Sequence, residues 1–141
     1  MFQRILVGTD GSGTAGAAVA HAAELAKIGG SELIVVSAYK QPEDVPPPFG
    51  TPEGTHTEEI SKAVLRDVEK RYGGDAKLRT VLREGSPVDA IIDVASEEDA
   101  DIIVVGNRGM SGAKRFVLGS VPNAVSHHAP CHVLIVHTTD D

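Results

Sequence analysis

At 141 residues, with 41% hydrophobic and 23% charged residues, the chain has the size and composition of one folded domain. A net charge of −7 argues against duplex DNA or RNA as the main partner, because phosphate backbones need a clustered positive surface. The single cysteine excludes an intrachain disulfide framework, and no apolar run approaches the ~20 residues that span a bilayer.

The opening Met1–Gly8 lacks the apolar core of a secretion signal, so a cytoplasmic location is expected. Ile5-Leu6-Val7 predicts a first strand. Residues 14–28 follow as an alanine-rich helix with Ala15, Val19, Ala22, Ala23 and Ala26 on one stripe. Leu33-Ile34-Val35-Val36 is the second strand. The stretch 41–55 carries Pro42, Pro46, Pro47, Pro48 and Pro52, and reads as a long loop, either a spacer or a lid over a ligand. A helix over 56–72 is expected to bury Ile60, Val64, Val68 and Tyr72. In Leu78-Arg79-Thr80-Val81-Leu82-Arg83 charges interleave with apolar residues, as in a less buried edge strand. Ser86-Pro87-Val88-Asp89 supplies an N-cap, a proline suited to the first helical position and an acid favoured by the helix dipole. The expected buried face of that helix is Val88, Ile91, Ile92 and Ala95. Ile102-Ile103-Val104-Val105 is the fourth strand, Ser120–His128 the last helix, stopping before Pro130, and Val133-Leu134-Ile135-Val136 the fifth strand. Residues 138–141 form a tail.

The four aliphatic runs are continuous rather than alternating, which suits strands covered on both faces of a parallel sheet. Abundant Val and absent Trp fit such a core. The order βαβαβαβαβ predicts a single doubly wound α/β domain over 1–141, with helices on both faces.

Gly106-Asn107-Arg108-Gly109 follows the fourth strand, and nine residues later Gly119-Ser120 opens a helix. Glycines let backbone amides approach an anion, and a helix N-terminus adds unpaired N–H groups. Arg108, Lys114 and Arg115 place positive charge in this stretch of an acidic chain. The P-loop spacing is absent, as is the dinucleotide fingerprint. The first turn instead reads Gly8-Thr9-Asp10-Gly11-Ser12-Gly13, and the second strand ends Ser37-Ala38-Tyr39-Lys40 without a ribose-binding acid.

The pattern G-x-x-G-x9-G-[ST] after a strand resembles the ATP-binding branch of the universal stress protein (UspA-like) family. The opening Ile5-Leu6-Val7-Gly8-Thr9-Asp10-Gly11-Ser12, the strand Asp101–Gly106, Gly119-Ser120-Val121, and Ala129-Pro130-Cys131 with Val133–Val136 carry the resemblance over nearly the whole chain. It implies a five-stranded parallel sheet of order 3-2-1-4-5, Rossmann-like and akin to the adenine nucleotide alpha hydrolases, with the switch point between strands one and four. It further implies an adenine nucleotide, ATP, in that crevice. Asp10 would hold ribose hydroxyls or a phosphate-bound Mg²⁺, with Thr9 on the same wall. Ala38 would meet the adenine edge through its backbone, and Gly106 would lie against the ribose. Arg108 would add charge, and Gly109, Met110, Ser111, Gly119, Ser120 and Val121 would surround the phosphates. Met110 stands where the family often has Lys or Arg, which keeps cyclic AMP open as the ligand. The implied role is a sensor or nucleotide reservoir in a stress response, acting on a protein partner that the sequence does not name.

Catalytic signals are weak. No general base for an in-line water attack stands out, so at most slow Mg²⁺-dependent ATP hydrolysis or phosphoryl transfer is expected. His21, His56, His127, His128, His132 and His137 show no metal-binding spacing. His127 and His128 suit a helix C-terminus, and Cys131 reads as a core residue opening a buried strand. Glu58-Glu59 and Glu97-Glu98 read as solvated helix positions. In the order 3-2-1-4-5 strand five is an edge, yet Val133, Leu134, Ile135 and Val136 carry no charge and no proline. The other edge carries Arg79 and Arg83. A homodimer pairing strand five with its mate is therefore expected.

Overall fold

The computed structural model describes residues 2–41, 57–74, 77–107 and 120–138. Strands and helices alternate as β1 (Arg4–Gly8), α1 (Gly13–Gly29), β2 (Glu32–Tyr39), α2 (Glu58–Tyr72), β3 (Lys77–Glu84), α3 (Pro87–Glu97), β4 (Ile102–Gly106), α4 (Ser120–His128) and β5 (His132–Val136). Local chemistry sets the helix ends. Ser12 Oγ accepts the Ala15 N–H at 3.3 Å and starts α1. The helix stops at Gly30, whose φ of +66° is the left-handed conformation that glycine adopts without strain. Thr57 Oγ1 caps α2 by accepting the Ile60 N–H, with Glu58 and Glu59 in the first turn and Lys70 and Arg71 in the last, each favoured by the dipole. Ser86 Oγ accepts the Asp89 N–H at 3.2 Å, and Pro87 opens α3 as the sequence predicts.

The strands form one parallel sheet of order β3-β2-β1-β4-β5. Its two faces explain the continuous apolar runs. Ile5, Val7, Leu33, Val35, Ile102 and Val104 pack with Ala18, Val19, Ala22 and Ala26 of α1 and with Leu65 and Val68 of α2. The alternate residues Leu6, Ile34, Val36, Ile103 and Val105 pack with Ala90, Ile91, Val94 and Ala95 of α3 and Val125 of α4. Both faces of β1, β2 and β4 are covered, so every residue of those runs must be apolar.

Three helix faces differ in detail from the periodicity reading. The inner residues of α2 are Ser61, Leu65 and Val68, whereas Ile60 is 46% exposed and Val64 and Tyr72 are half-buried. A polar contact turns the helix this way: Ser61 Oγ donates to the Ala38 carbonyl at 2.9 Å. In α3, Ala90 and Val94 are buried and Val88 and Ile92 only half-buried, and in α1 Ala18 is buried while Ala23 is half-buried. β5 is not a buried strand. Leu134 and Ile135 are 41% and 39% exposed, and Cys131 is half-buried, because among the described residues β5 pairs with β4 alone and nothing covers its outer side. The proline-rich stretch lies outside the described residues from Pro42 onward, as do residues 139–141 of the tail.

At the opposite edge, charges are tied down. Arg79 of β3 donates to Glu98 at 3.0 Å and to Glu32 of β2 at 2.9 Å. The Arg83 guanidinium forms two parallel bonds of 2.8 Å with Glu97 at the end of α3. Glu97 and Glu98, read from sequence as merely solvated, instead bind α3 to the edge strand.

Candidate functional site

β1 leads into α1 on one face of the sheet, and β4 leads toward α4 on the other. Adjacent parallel strands whose connections leave on opposite faces open a crevice at their carboxyl ends. The β1 side of this crevice is a tightly bonded turn. Thr9 is buried, its N–H donating to the Val36 carbonyl at 2.9 Å and its Oγ1 accepting the Gly11 N–H at 3.1 Å. Asp10 is half-buried, and its Oδ1 accepts the Ser12 N–H at 2.9 Å. The turn thus uses one carboxylate oxygen of Asp10. Gly11 has φ +84°, and a Cβ there would lie 2.9 Å from Val64 Cγ2, so α2 leans directly on the turn.

The β4 side is closed by the chain leaving β5. The Asn107 N–H donates to the Val136 carbonyl at 2.8 Å. Asn107 Oδ1 accepts from the Thr138 N–H at 2.9 Å and from Thr138 Oγ1 at 3.2 Å. Thr138 is buried, and a Cβ on Gly106 would stand 3.0 Å from its Oγ1 and 3.1 Å from its Cγ2.

Thr9, Asp10, Ala38 and Gly106 therefore share the carboxyl ends of three neighbouring strands. Ala38 is half-buried, with its carbonyl held by Ser61 Oγ. Ser120 is exposed at the start of α4, and Val121 packs against the face shared by α3 and α4. Arg108, Gly109, Met110, Ser111, Lys114, Arg115 and Gly119 lie outside the described residues. Asn107 and Thr138 escaped the sequence reading. An Asn directly after a strand-ending glycine hints at a side-chain-bonded turn, but nothing marks Thr138 as its partner.

Ionisable groups sharpen the chemistry. Burial pushes the Cys131 thiol up, and the Asp101 carboxylate adds to the effect, which opposes thiolate reactivity. Tyr39, at the end of β2, has its phenol raised by burial and by Glu58 and Glu84. His127 and His128 occupy the last turn of α4. Among the described residues no group of three or more His, Cys, Asp or Glu is placed to hold a metal, and no helix is long and apolar enough to cross a membrane.

Residues 1–137 match the universal stress protein family. The chain belongs to that family. A universal stress protein of Mycobacterium tuberculosis is 34% identical over 157 residues, covering 98% of each chain. One from Thermus aquaticus is 39% identical over 142 residues, covering 96% of this chain and 99% of its own. Among solved structures, a universal stress protein crystallised in complex with cyclic AMP superposes with a TM-score of 0.75 at 34% identity, covering 98% of both chains. These universal stress proteins span the same length as this chain, so the likeness covers the whole fold.

Proposed function

We propose that this universal stress protein binds an adenine nucleotide in the crevice at the carboxyl ends of β1 and β4, with ATP as the first ligand to test. The observation that carries the reading is the meeting of two rigid turns, Thr9–Ser12 and Gly106–Asn107, at the switch point of the sheet. The turn at Asp10 engages Oδ1, and Oδ2 is the oxygen assigned to ribose hydroxyls or to a Mg²⁺ brought in by phosphates. One carboxylate together with phosphate oxygens is an ordinary donor set for Mg²⁺. Thr9 and the Ala38 backbone are assigned to the base and ribose side, and Gly106 to the ribose. Arg108, Gly109, Met110, Ser111, Gly119, Ser120 and Val121 are assigned to the phosphates on the glycine motif alone.

Cyclic AMP is the second reading. The 34% identical universal stress protein crystallised with it supports that choice, as does Met110 in place of a basic residue. In either case the role is a cytoplasmic sensor or reservoir, working as a homodimer through β5, with slow hydrolysis at most.

Native mass spectrometry of the purified protein identifies any nucleotide carried through purification, and calorimetry with ATP and cyclic AMP ranks the two. Asp10→Asn keeps an acceptor for the Ser12 N–H while removing the charge. It is expected to weaken nucleotide binding by about tenfold or more, equivalent to ~1.4 kcal/mol, with the fold intact. An unchanged affinity removes Asp10 from the site. Phosphate release in Mg²⁺, abolished by Asp10→Ala, would make the protein a slow ATPase instead of a binder.

A further inference from the structure

We infer that Asn107 is a positioning residue for the nucleotide site, clasping the turn after β4 to the chain that leaves β5. The inference rests on the adenine nucleotide reading above and adds to it a residue that the glycine motif leaves as a free position.

The bonding is specific. Asn107 Oδ1 accepts two hydrogen bonds, from the N–H and the Oγ1 of Thr138, at 2.9 and 3.2 Å. A carbonyl oxygen has two lone pairs, so its accepting capacity is full. The Asn107 N–H also donates to the Val136 carbonyl at 2.8 Å. One residue is thus fastened by its backbone to the last residue of β5 and by its side chain to the segment that follows. Thr138 is 7% exposed, so both of its donors need a partner inside the protein.

The clasp has a consequence next door. It presses Thr138 against Gly106, where even a Cβ would stand 3.0 Å from Thr138 Oγ1. Gly106 is the residue assigned to the ribose. It pairs with Val136 of β5, and Thr138 backs it where a side chain would stand. Loss of the Asn107 acceptor frees Thr138 to swing, and the Gly106 turn loses its backing. A site held in the bound geometry beforehand spends less of its binding energy on ordering, so loosening this turn should appear as weaker binding.

The test compares Asn107→Leu, Thr138→Val and Thr138→Ser with the wild type. Calorimetry with ATP and with cyclic AMP is run well below each melting temperature, and thermal unfolding is recorded for each protein. Asn107→Leu removes the acceptor at similar volume and is expected to weaken the better ligand by about tenfold or more. Thr138→Ser keeps both donors and should bind like wild type. Thr138→Val keeps the N–H bond and should fall between. Asn107→Leu binding like wild type, with a lower melting temperature, makes the clasp purely structural and overturns the inference. Wild-type protein that binds neither nucleotide overturns the reading beneath it as well, a result distinct from the first. Hydrogen exchange on the wild type needs no variant to fold: saturating nucleotide should slow exchange of the Thr138 amide, and unchanged exchange contradicts the clasp's role.

Discussion

Ser37 and Ser61 are both fully buried, yet their hydroxyls stand in opposite situations. Ser61 Oγ donates to the Ala38 carbonyl, while Ser37 Oγ has no hydrogen-bond partner among the described residues. Strand geometry explains the first. The Val36 carbonyl points toward β1 and takes the Thr9 N–H, and two residues on the Ala38 carbonyl points the same way. By then β1 has turned off at Asp10, so α2 supplies the donor that the strand no longer can. Ser37 instead lies on the face of Leu33 and Val35, among apolar neighbours. A buried hydroxyl left unpaired costs about 1–3 kcal/mol. Ser37→Ala is therefore expected to raise stability by about 1 kcal/mol, and Ser61→Ala to lower it by about as much, because the Ala38 carbonyl is then orphaned. Urea unfolding with an unchanged slope checks both. Destabilisation by Ser37→Ala would mean that a buried water satisfies the hydroxyl.

Among the elements, strands and caps were legible because their signals are local. The four aliphatic runs located β1, β2, β4 and β5, and Ser86-Pro87 marked the start of α3. The inner face of α2 was not legible. Its Ile60–Val64–Val68–Tyr72 stripe has helical spacing, but a tertiary bond from Ser61 decides the rotation. The partners of Glu97 and Glu98 were equally hidden, since Arg79 and Arg83 come from another element. Hydrogen bonds from Arg83 and Arg79 hold the Glu97 and Glu98 carboxyls below their usual range. The Asp101 carboxyl is held low by the Arg4 and Gln3 amides, whose N–H groups it accepts at 2.9 and 2.7 Å. The unfolded chain therefore protonates these groups at higher pH than the folded one. Their stabilisation is complete above the ordinary carboxylate pKa of about 4 and fades as pH falls through the lowered values. Stability should drop as the medium is acidified below about pH 4, and Asp101→Asn should flatten that slope. Parallel acid titrations of unfolding free energy measure the difference. Identical slopes would show that Asp101 carries no such linkage. Because Glu97 is exposed and Glu98 about one-third exposed, added salt should weaken their share and leave that of Asp101, whose donors are backbone amides, less affected.

At the scale of the molecule, the two edges of the sheet are built differently. β3 ends the sheet with Arg79 and Arg83 locked to carboxylates, an edge that repels further pairing. β5 ends it with Leu134 and Ile135 about two-fifths exposed. Neighbouring strand residues point to opposite faces, so this edge shows apolar surface on both faces of the sheet at once. A partner docking on one face would cover only one of the two. A strand paired alongside β5 covers both and satisfies the free backbone groups, and in a symmetric pair the simplest such strand is β5 of a second copy. The sequence reading reached the same edge through strand order and the charge-free run Val133–Val136, whereas the degree of exposure emerged only from the folded chain. Ile135→Lys places a charge at the centre of the proposed contact. It is expected to convert the proposed dimer to monomer or aggregate, measured by light scattering after size exclusion, while leaving the circular dichroism of the fold unchanged. A wild-type monomer, or a variant dimer of undiminished stability on dilution, would remove β5 as the interface. Because Val136 of β5 and Thr138 just beyond it hold Asn107, the same strand would then bear on the proposed nucleotide site within each chain but not between chains.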